Sequence, residues 1–379
     1  MHQGVHISRP EWVIRNNAGA LAACVTYQSE HIELFFRVCP EAAAPRSEAF
    51  LPVGLLPAMR LNLPLQLEGA LSPRLASHLS TIQNIYTSWD KKFARVPVCA
   101  GDSDIPPLPA KRGVGCFFSG GVDSFYSFLK NRDEITHLVF VHGFDLPLSD
   151  QTLRPRVAAS LRQAAAELGK PLIEVETNVR DLLDRHMNWV ISHGAALASA
   201  ALALSGTLHK IYLPASNTYS NLFPTGSHPI LDPLWSTEAM DIVHDGCEAN
   251  RVEKVAKIAD CDTALRWLRV CWENPDGEYN CGKCEKCQRT MLNLHVANAL
   301  QRCPTFSQPL DPHFIARVPA WSAGIRIHCE ENLHALEAQN RDPELQRALR
   351  DCLALKHHKG IRRLVRGGVK RLRRLVHSA

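Results

Sequence analysis

The run Val114-Gly115-Cys116-Phe117-Phe118-Ser119-Gly120-Gly121-Val122-Asp123-Ser124 decides the fold. Its first five residues are an apolar stretch bounded by a turn, the pattern of a buried strand. Ser119-Gly120-Gly121 follows as the turn, and the residues from Phe125 to Lys130 can be helical. Strand, glycine turn and helix start together present unpaired backbone N–H groups to an anion. Two adjacent glycines let the backbone approach a phosphate with no Cβ in the way. Ser119 and Ser124 add hydroxyl donors, and Asp123 adds a carboxylate able to help hold a phosphate-bound metal. No Gly-Lys-Ser/Thr follows at P-loop spacing, and the third glycine of the dinucleotide fingerprint is missing. A tight turn without a ligand is the plain alternative.

The alternation continues downstream. Leu138 to Gly143, Pro171 to Thr177 and Ile211 to Ala215 read as further strands. The stretches Val157 to Leu168 and Trp189 to Leu204 read as the intervening helices. This predicts an α/β fold with a parallel sheet and right-handed crossovers. Ligands in such sheets sit beyond the carboxyl ends of the strands. That rule lines up Ser119 to Ser124, His142 to Asp145 and Ser216-Asn217-Thr218 along one rim. His142 equally suits a loop hydrogen bond, and Ser216-Asn217 equally suits an ordinary turn. The long loop 221–237 carries Phe223, Ile230, Leu234 and Trp235, so it is expected to lie over a pocket with His228 and Asp232 as polar contacts. Ser236 or Thr237 is expected to cap a helix starting at Glu238, and Arg251 to Ile258 to form another. Gly194 in the alanine-rich helix is expected to mark close packing.

A second motif lies at Cys281-Gly282-Lys283-Cys284-Glu285-Lys286-Cys287, with Cys271 ten residues upstream. Four thiolates in a short glycine-containing loop suit one tetrahedral Zn2+ with no open position, hence a structural metal. An iron–sulfur cluster is the rival occupant. Lys283 and Lys286 are expected to offset the negative charge of the cluster.

Ser119-Gly-Gly-Val-Asp-Ser124 resembles the pyrophosphate loop of the PP-loop ATP pyrophosphatases, whose members split ATP between the α and β phosphates. A cysteine ahead of Cys-Gly-x-Cys-x-x-Cys, followed by Arg289, is similar to the zinc-binding end of one branch, 7-cyano-7-deazaguanine synthase. The resemblance covers about residues 112 to 300. It implies a Rossmann-like PP-loop domain using ATP and Mg2+. It also implies adenylation of a small-molecule carboxylate, then attack by ammonia or an amine donor. It makes Ser119, Asp123 and Ser124 the catalytic residues. Ser119, Gly120, Gly121, Val122, Asp123, Ser124, His142, Ser216 and Asn217 become the nucleotide-binding set, and Cys271, Cys281, Cys284 and Cys287 the metal ligands. The chain departs from the branch at His142-Gly143-Phe144-Asp145 and at Pro214-Ala215-Ser216-Asn217, so its deazapurine substrate does not carry over. Sulfur transfer to RNA, which PP-loop proteins also perform, would need a catalytic cysteine near the loop. A zinc-stabilised nucleotide sensor or nucleic-acid-binding module is the non-enzymatic alternative.

Composition sets the frame. The chain has 379 residues, 45% hydrophobic and 21% charged, as in globular proteins. Thirteen cysteines and no export signal point to a reducing cytoplasm. The net charge of +5 belongs to the C-terminus: nine Lys and Arg and no acid lie from Lys356 onward, leaving the rest at about −4. The expected organisation is a β-rich module over 1–100, a proline-rich linker over 101–111, the PP-loop domain over 112–305 with its zinc segment 271–287, a helical region over 306–355 and a basic tail over 356–379. In the module, strands over Ala20 to Tyr27 and His31 to Val38 flank a turn. Pro52, Pro57 and Pro64 are expected to exclude a long helix over 50–67, and Pro73 to Trp89 is an amphipathic helix capped by Ser72. The tail, if helical, suits an anionic membrane surface or nucleic acid.

Overall fold

The computed structural model describes residues 2–15, 18–39, 44–101, 107–318 and 323–355. Linker residues 102–106 and the basic tail 356–379 lie outside the described residues. In chain order the strands and helices are β1 (His2–Ile7), β2 (Glu11–Arg15), β3 (Ala18–Gln28), β4 (Glu30–Arg37), α1 (Leu51–Leu61), β5 (Leu65–Leu67), α2 (Pro73–Trp89), β6 (Val98–Ala100), β7 (Gly113–Phe117), α3 (Val122–Lys130), β8 (His137–His142) and α4 (Leu153–Glu167). They continue as β9 (Leu172–Thr177), α5 (Arg180–His186), α6 (Trp189–Ala203), β10 (Leu208–Pro214), β11 (Asp241–Asp245), α7 (Arg251–Ala259), α8 (Asp262–Trp267), α9 (Glu285–Val296), α10 (Pro312–Arg317), α11 (Ala323–Ala338) and α12 (Pro343–Ala354).

The eleven strands of the described residues belong to one sheet, ordered β11-β10-β7-β8-β9-β4-β3-β1-β5-β6, with β2 paired to β3. The half from β11 to β9 is parallel throughout. The chain runs outward from β7 through β8 to β9, then returns so that β10 pairs with the other side of β7. The strand order therefore reverses between β7 and β10, and the loops leaving those two strands diverge. Such a crevice is where open α/β sheets place their ligands.

The β-rich strands of residues 1–100 extend this sheet instead of forming one of their own. Strand β4 lies antiparallel to β9, with Phe36 opposite Thr177 and Arg37 opposite Glu176. Polar side chains lock the seam: the Thr177 hydroxyl donates to the Phe35 carbonyl, and the Asn178 carboxamide accepts from Phe35 N–H and donates to the Glu33 carbonyl. The β3–β4 hairpin turns at Gln28-Ser29, with Gln28 at φ 52° and Tyr27 paired to Glu30. One hydrophobic core runs from Val5 in β1 to Ile242 in β11, beneath α1, α2, α5 and α6. A second core lies on the other face of β7 and β8, beneath α3, α4, α7, α8 and the cysteine segment. Among the described residues no helix is long and apolar enough to cross a membrane.

Two local expectations are corrected. Helix α1 forms despite its prolines, because Pro52 sits in the first turn, where no N–H is needed, and only Pro57 lies inside. Nine of its eleven residues are buried, and that burial offsets the lost hydrogen bond. The residues after Thr237 form strand β11, not a helix: the Thr237 hydroxyl accepts from the N–H groups of Ala239 and Met240, turning the chain into the sheet edge. Backbone pairing with β10 outweighs the capping signal.

Gly194 of α6 is a point of close approach, as its position in an alanine-rich helix predicts. A Cβ there would lie 1.8 Å from the carbonyl oxygen of Gly226 in the 221–237 loop. Gly226 N–H donates to the Val190 carbonyl at 2.8 Å, so loop and helix are joined backbone to backbone. Gly194→Ala should therefore lower the unfolding free energy by about 2–3 kcal/mol, checked by denaturant titration, since neither backbone can step aside cheaply.

Candidate functional site: an anion pocket between the glycine loop and a four-cysteine cluster

The 119–124 loop leaves β7 at the point of strand reversal and opens α3. Gly120 has φ +73°, a left-handed conformation, and an added Cβ would meet Leu161 at 2.9 Å. Ser124 Oγ donates to the Gly121 carbonyl at 2.9 Å and tightens the first helical turn. Among the described residues, the N–H groups of Gly120, Gly121, Val122 and Asp123 have no protein acceptor. They form the positive end of a nine-residue helix together with a turn of bare amides.

Asp123 faces the end of β10 and the start of α7. Its carboxylate accepts from Ser216 Oγ at 3.2 Å, from Arg251 at 3.0 Å and from the buried Lys254 Nζ at 3.3 Å. Burial alone would raise its pKa, but the two cations hold it well below the usual carboxylate range. Lys254 Nζ also donates to the Ala215 carbonyl at 2.6 Å, so α7, β10 and α3 converge on one carboxylate.

Three more cations come from the cysteine segment. Arg269, Lys286 and Arg289 line the same pocket as Ser119, Gly121 and Asp123. Burial lowers the pKa of all three, the sign of cations short of solvent or counter-charge. Buried Nε of Arg269 has no partner, and the Lys286 ammonium makes no hydrogen bond among the described residues. Arg289 is paired to Glu285 at 3.1 Å within α9. With Arg251, four cations line the pocket beside the unpaired amides, and the buried Lys254 stands behind Asp123. Asp145, exposed and without a hydrogen-bond donor among the described residues, lines the pocket opposite them. That arrangement can hold a multiply charged anion such as a phosphate chain.

The four cysteines form one cluster. Sγ atoms of Cys271, Cys281, Cys284 and Cys287 all lie within 4.8 Å of one another, and all four residues are buried. A tetrahedral ion with metal–sulfur bonds of about 2.3 Å requires edges of about 3.8 Å, and Cys281 Sγ lies 3.9 Å from Cys287 Sγ. Backbone N–H groups of Cys284 and Cys287 point at the sulfurs of Cys281 and Cys284, which favours thiolates. The group can therefore hold a metal ion. Asn280 clamps its two halves by accepting from the N–H groups of Val270 and Cys271 and donating to the Leu268 carbonyl and Thr305 Oγ1. Gln288 ties Gly282 and Pro309 to α9. The cluster also leans on the loop: Arg269 N–H donates to the Gly120 carbonyl at 2.8 Å.

A second, larger cavity of about 1710 Å³, counting solvent at its mouth, opens from the same loop. Ser119, Asp123, Asp145, Arg269 and Lys286 are shared with the anion pocket. Phe140, Phe144, Trp189 and Phe223 supply aromatic walls, and Ser216 and Asn217 lie on its rim. The 221–237 loop lines it through Phe223 and His228, while Asp232 is fully buried beneath. Asp232 accepts from Ser227 Oγ at 2.6 Å and pairs with His244 Nδ1 at 2.7 Å, pinning the loop to β11.

Of the residues picked from sequence, Ser119, Gly121, Val122, Asp123 and Ser124 line the anion pocket, with Cys271 beside them, and Gly120 shapes the loop. His142 stands apart. It is buried, with Nε2 on Glu174 at 3.0 Å, and lines neither cavity. Its strand position turns it toward β9, not the rim. Lys286 serves the anion pocket, beyond the charge-balancing role read for it; Lys283 is exposed and lines neither cavity. Arg251, Lys254, Arg269 and Asn280 carried no sequence signal: each is a lone polar residue in an ordinary helix or loop. No protein-family model and no curated protein matches the chain.

The Asp232–His244 pair makes a pH prediction. Burial pulls His244 down, but the hydrogen bond and charge of Asp232, with Cys247, outweigh it and raise its pKa to about 9. A group raised on folding stabilises the fold fully below its ordinary value of about 6.5 and loses that contribution as pH rises through the folded value. Stability should fall between about pH 6.5 and 9 in urea titrations, and Asp232→Asn should flatten that slope.

Proposed function

We propose that this protein is an ATP-dependent ligase of the PP-loop kind, adenylating a small-molecule carboxylate that a nitrogen nucleophile then attacks. The observation that carries this reading is the set of loop amides, unpaired among the described residues, that share a pocket with four cations at the strand reversal. The amides of Gly120 to Asp123 hold the β and γ phosphates, with Ser119 and Ser124 as further donors. Lys286 and Arg269 supply positive charge where the departing pyrophosphate builds negative charge, the moment at which such stabilisation acts most strongly. Asp123 is not the magnesium ligand in this reading, because Ser216, Arg251 and Lys254 already occupy its oxygens. It holds those two cations in place, and Asp145 is the carboxylate left to bind Mg2+ on the phosphates. The aromatic cavity takes the carboxylate substrate. Zn2+ is the occupant assigned to the four thiolates, where it acts structurally.

The sulfur-transfer reading is weaker. Cys116 is fully buried within β7, and burial pushes its thiol far up, so it offers no thiolate beside the loop.

The test is ATP–pyrophosphate exchange with a panel of carboxylates. Exchange that depends on one carboxylate is expected, and Asp123→Asn should abolish it. Lys286→Ala should weaken inorganic pyrophosphate binding about tenfold, equivalent to ~1.4 kcal/mol. ATP binding with no exchange for any carboxylate would favour a nucleotide sensor instead.

Metal removal gives a second test. Three of the four pocket cations lie within two residues of a cysteine of the cluster: Arg269 beside Cys271, Lys286 and Arg289 beside Cys287. Stripping the metal with a chelator should release one ion per chain and weaken pyrophosphate binding by more than Lys286→Ala does, while the far-ultraviolet spectrum of the sheet persists. Calorimetric titration before and after metal restoration reads this.

A further inference from the structure

The C-terminal helices pack behind the cationic wall. Helix α11 touches α7 and α9, and its Glu331 accepts from the Arg251 backbone N–H at 3.3 Å. A groove between α9, α10, α11 and α12 is lined by Glu285, Arg289, Phe314, His328, Cys329 and Leu349. Cys329 of α11, on this groove, and Cys352 of α12 behind it place their Sγ atoms 3.4 Å apart, and both thiols are free. Neither belongs to the metal cluster. Cys329 is partly exposed to the groove, so a small oxidant reaches it directly. Cys352 is buried, with Sγ also directed to the Val318 carbonyl at 3.1 Å. Arg326 donates to the Leu353 carbonyl at 3.2 Å and already holds α11 against α12. An accessible thiol in contact with a buried second thiol is the layout of an oxidisable pair with its resolving partner.

We propose that Cys329 and Cys352 are a thiol-oxidation site, forming a reversible disulfide that fastens α12 to α11 behind Arg289. The oxidant is a peroxide. One thiolate attacks a peroxide oxygen, the O–O bond breaks, and the first water leaves with the proton that thiol gave up. The other thiolate then attacks the sulfenic sulfur, the S–S bond forms, and the second water takes the remaining thiol proton. Two electrons pass from the thiols to one peroxide. A thiol reductant reverses the bond by exchange. The pair sits 23 residues apart in sequence, so the link closes the α11–α12 hairpin on itself. The proposal does not depend on what the glycine loop binds.

The metal-loaded full-length protein is treated with limiting hydrogen peroxide, alkylated, digested and analysed by mass spectrometry without reduction. The expected result is a cross-linked peptide joining Cys329 to Cys352, the loss of both from the alkylated pool, and their return after dithiothreitol. Cys329→Ser should leave Cys352 alkylatable after denaturation and cross-linked to nothing. Cys352→Ser serves if that variant fails to fold, and the wild-type map decides in either case. Both cysteines remaining alkylatable while other thiols oxidise would overturn the proposal. So would Cys329 running on to sulfinic acid, or linking to a second chain.

Discussion

One backbone hydrogen bond, from Arg269 N–H to the Gly120 carbonyl, joins the two motifs that matter most in this chain. Gly120 holds a left-handed conformation that only glycine adopts without strain, so its carbonyl direction is fixed. Arg269 precedes Cys271 by two residues, so its position is fixed in turn by the cysteine cluster and by the Asn280 clamp. The loop and the cluster are therefore one device. Among the described residues, the loop supplies amides without acceptors, and the cluster supplies Arg269 and Lys286 without an ion-pair partner. Each half leaves a deficit of the same sign, which a bound phosphate chain would relieve.

The wider fold serves that junction. Strand reversal between β7 and β10 opens the crevice, and the Ser216 hydroxyl and Ala215 carbonyl at the end of β10 reach the Asp123–Lys254 network across it. The N-terminal strands extend the sheet through β4 on β9, and α1 and α2 cover its first face. That arrangement buries α6 deeply enough for Gly194 to meet Gly226, which sets the roof of the large cavity. Residues far from the loop thus decide how rigidly the cavity wall is held.

Much of this was legible in the residues, and the reasons differ by element. The buried runs over Val114 to Phe118 and Leu138 to His142 announce strands because both faces are covered, so hydrophobicity is continuous. The cysteine spacing announces a four-thiol cluster able to hold a metal ion, because a tight turn must aim several sulfurs at one point. Strand β11 was hidden: Asp241-Ile242-Val243-His244-Asp245 is short and polar at both ends, and its pairing with β10 is a tertiary fact. The shared sheet was hidden for the same reason, since β4 and β9 are far apart in the chain. The cations Arg251, Lys254 and Arg269 carry no spacing signal, because they come from three separate segments and meet only in three dimensions. His142 misled because a strand end has two faces, and the alternation that decides between them is masked in a strand buried on both sides.

In the proposed function, the loop amides and the cationic wall together hold pyrophosphate. Hydrogen exchange of the 119–124 amides in the metal-loaded protein, with and without saturating inorganic pyrophosphate, tests it most directly. Slowed exchange is expected at Gly120 to Asp123, with little change in the strands of the distant β1–β3 half. Unchanged exchange in this loop at saturating pyrophosphate would contradict it.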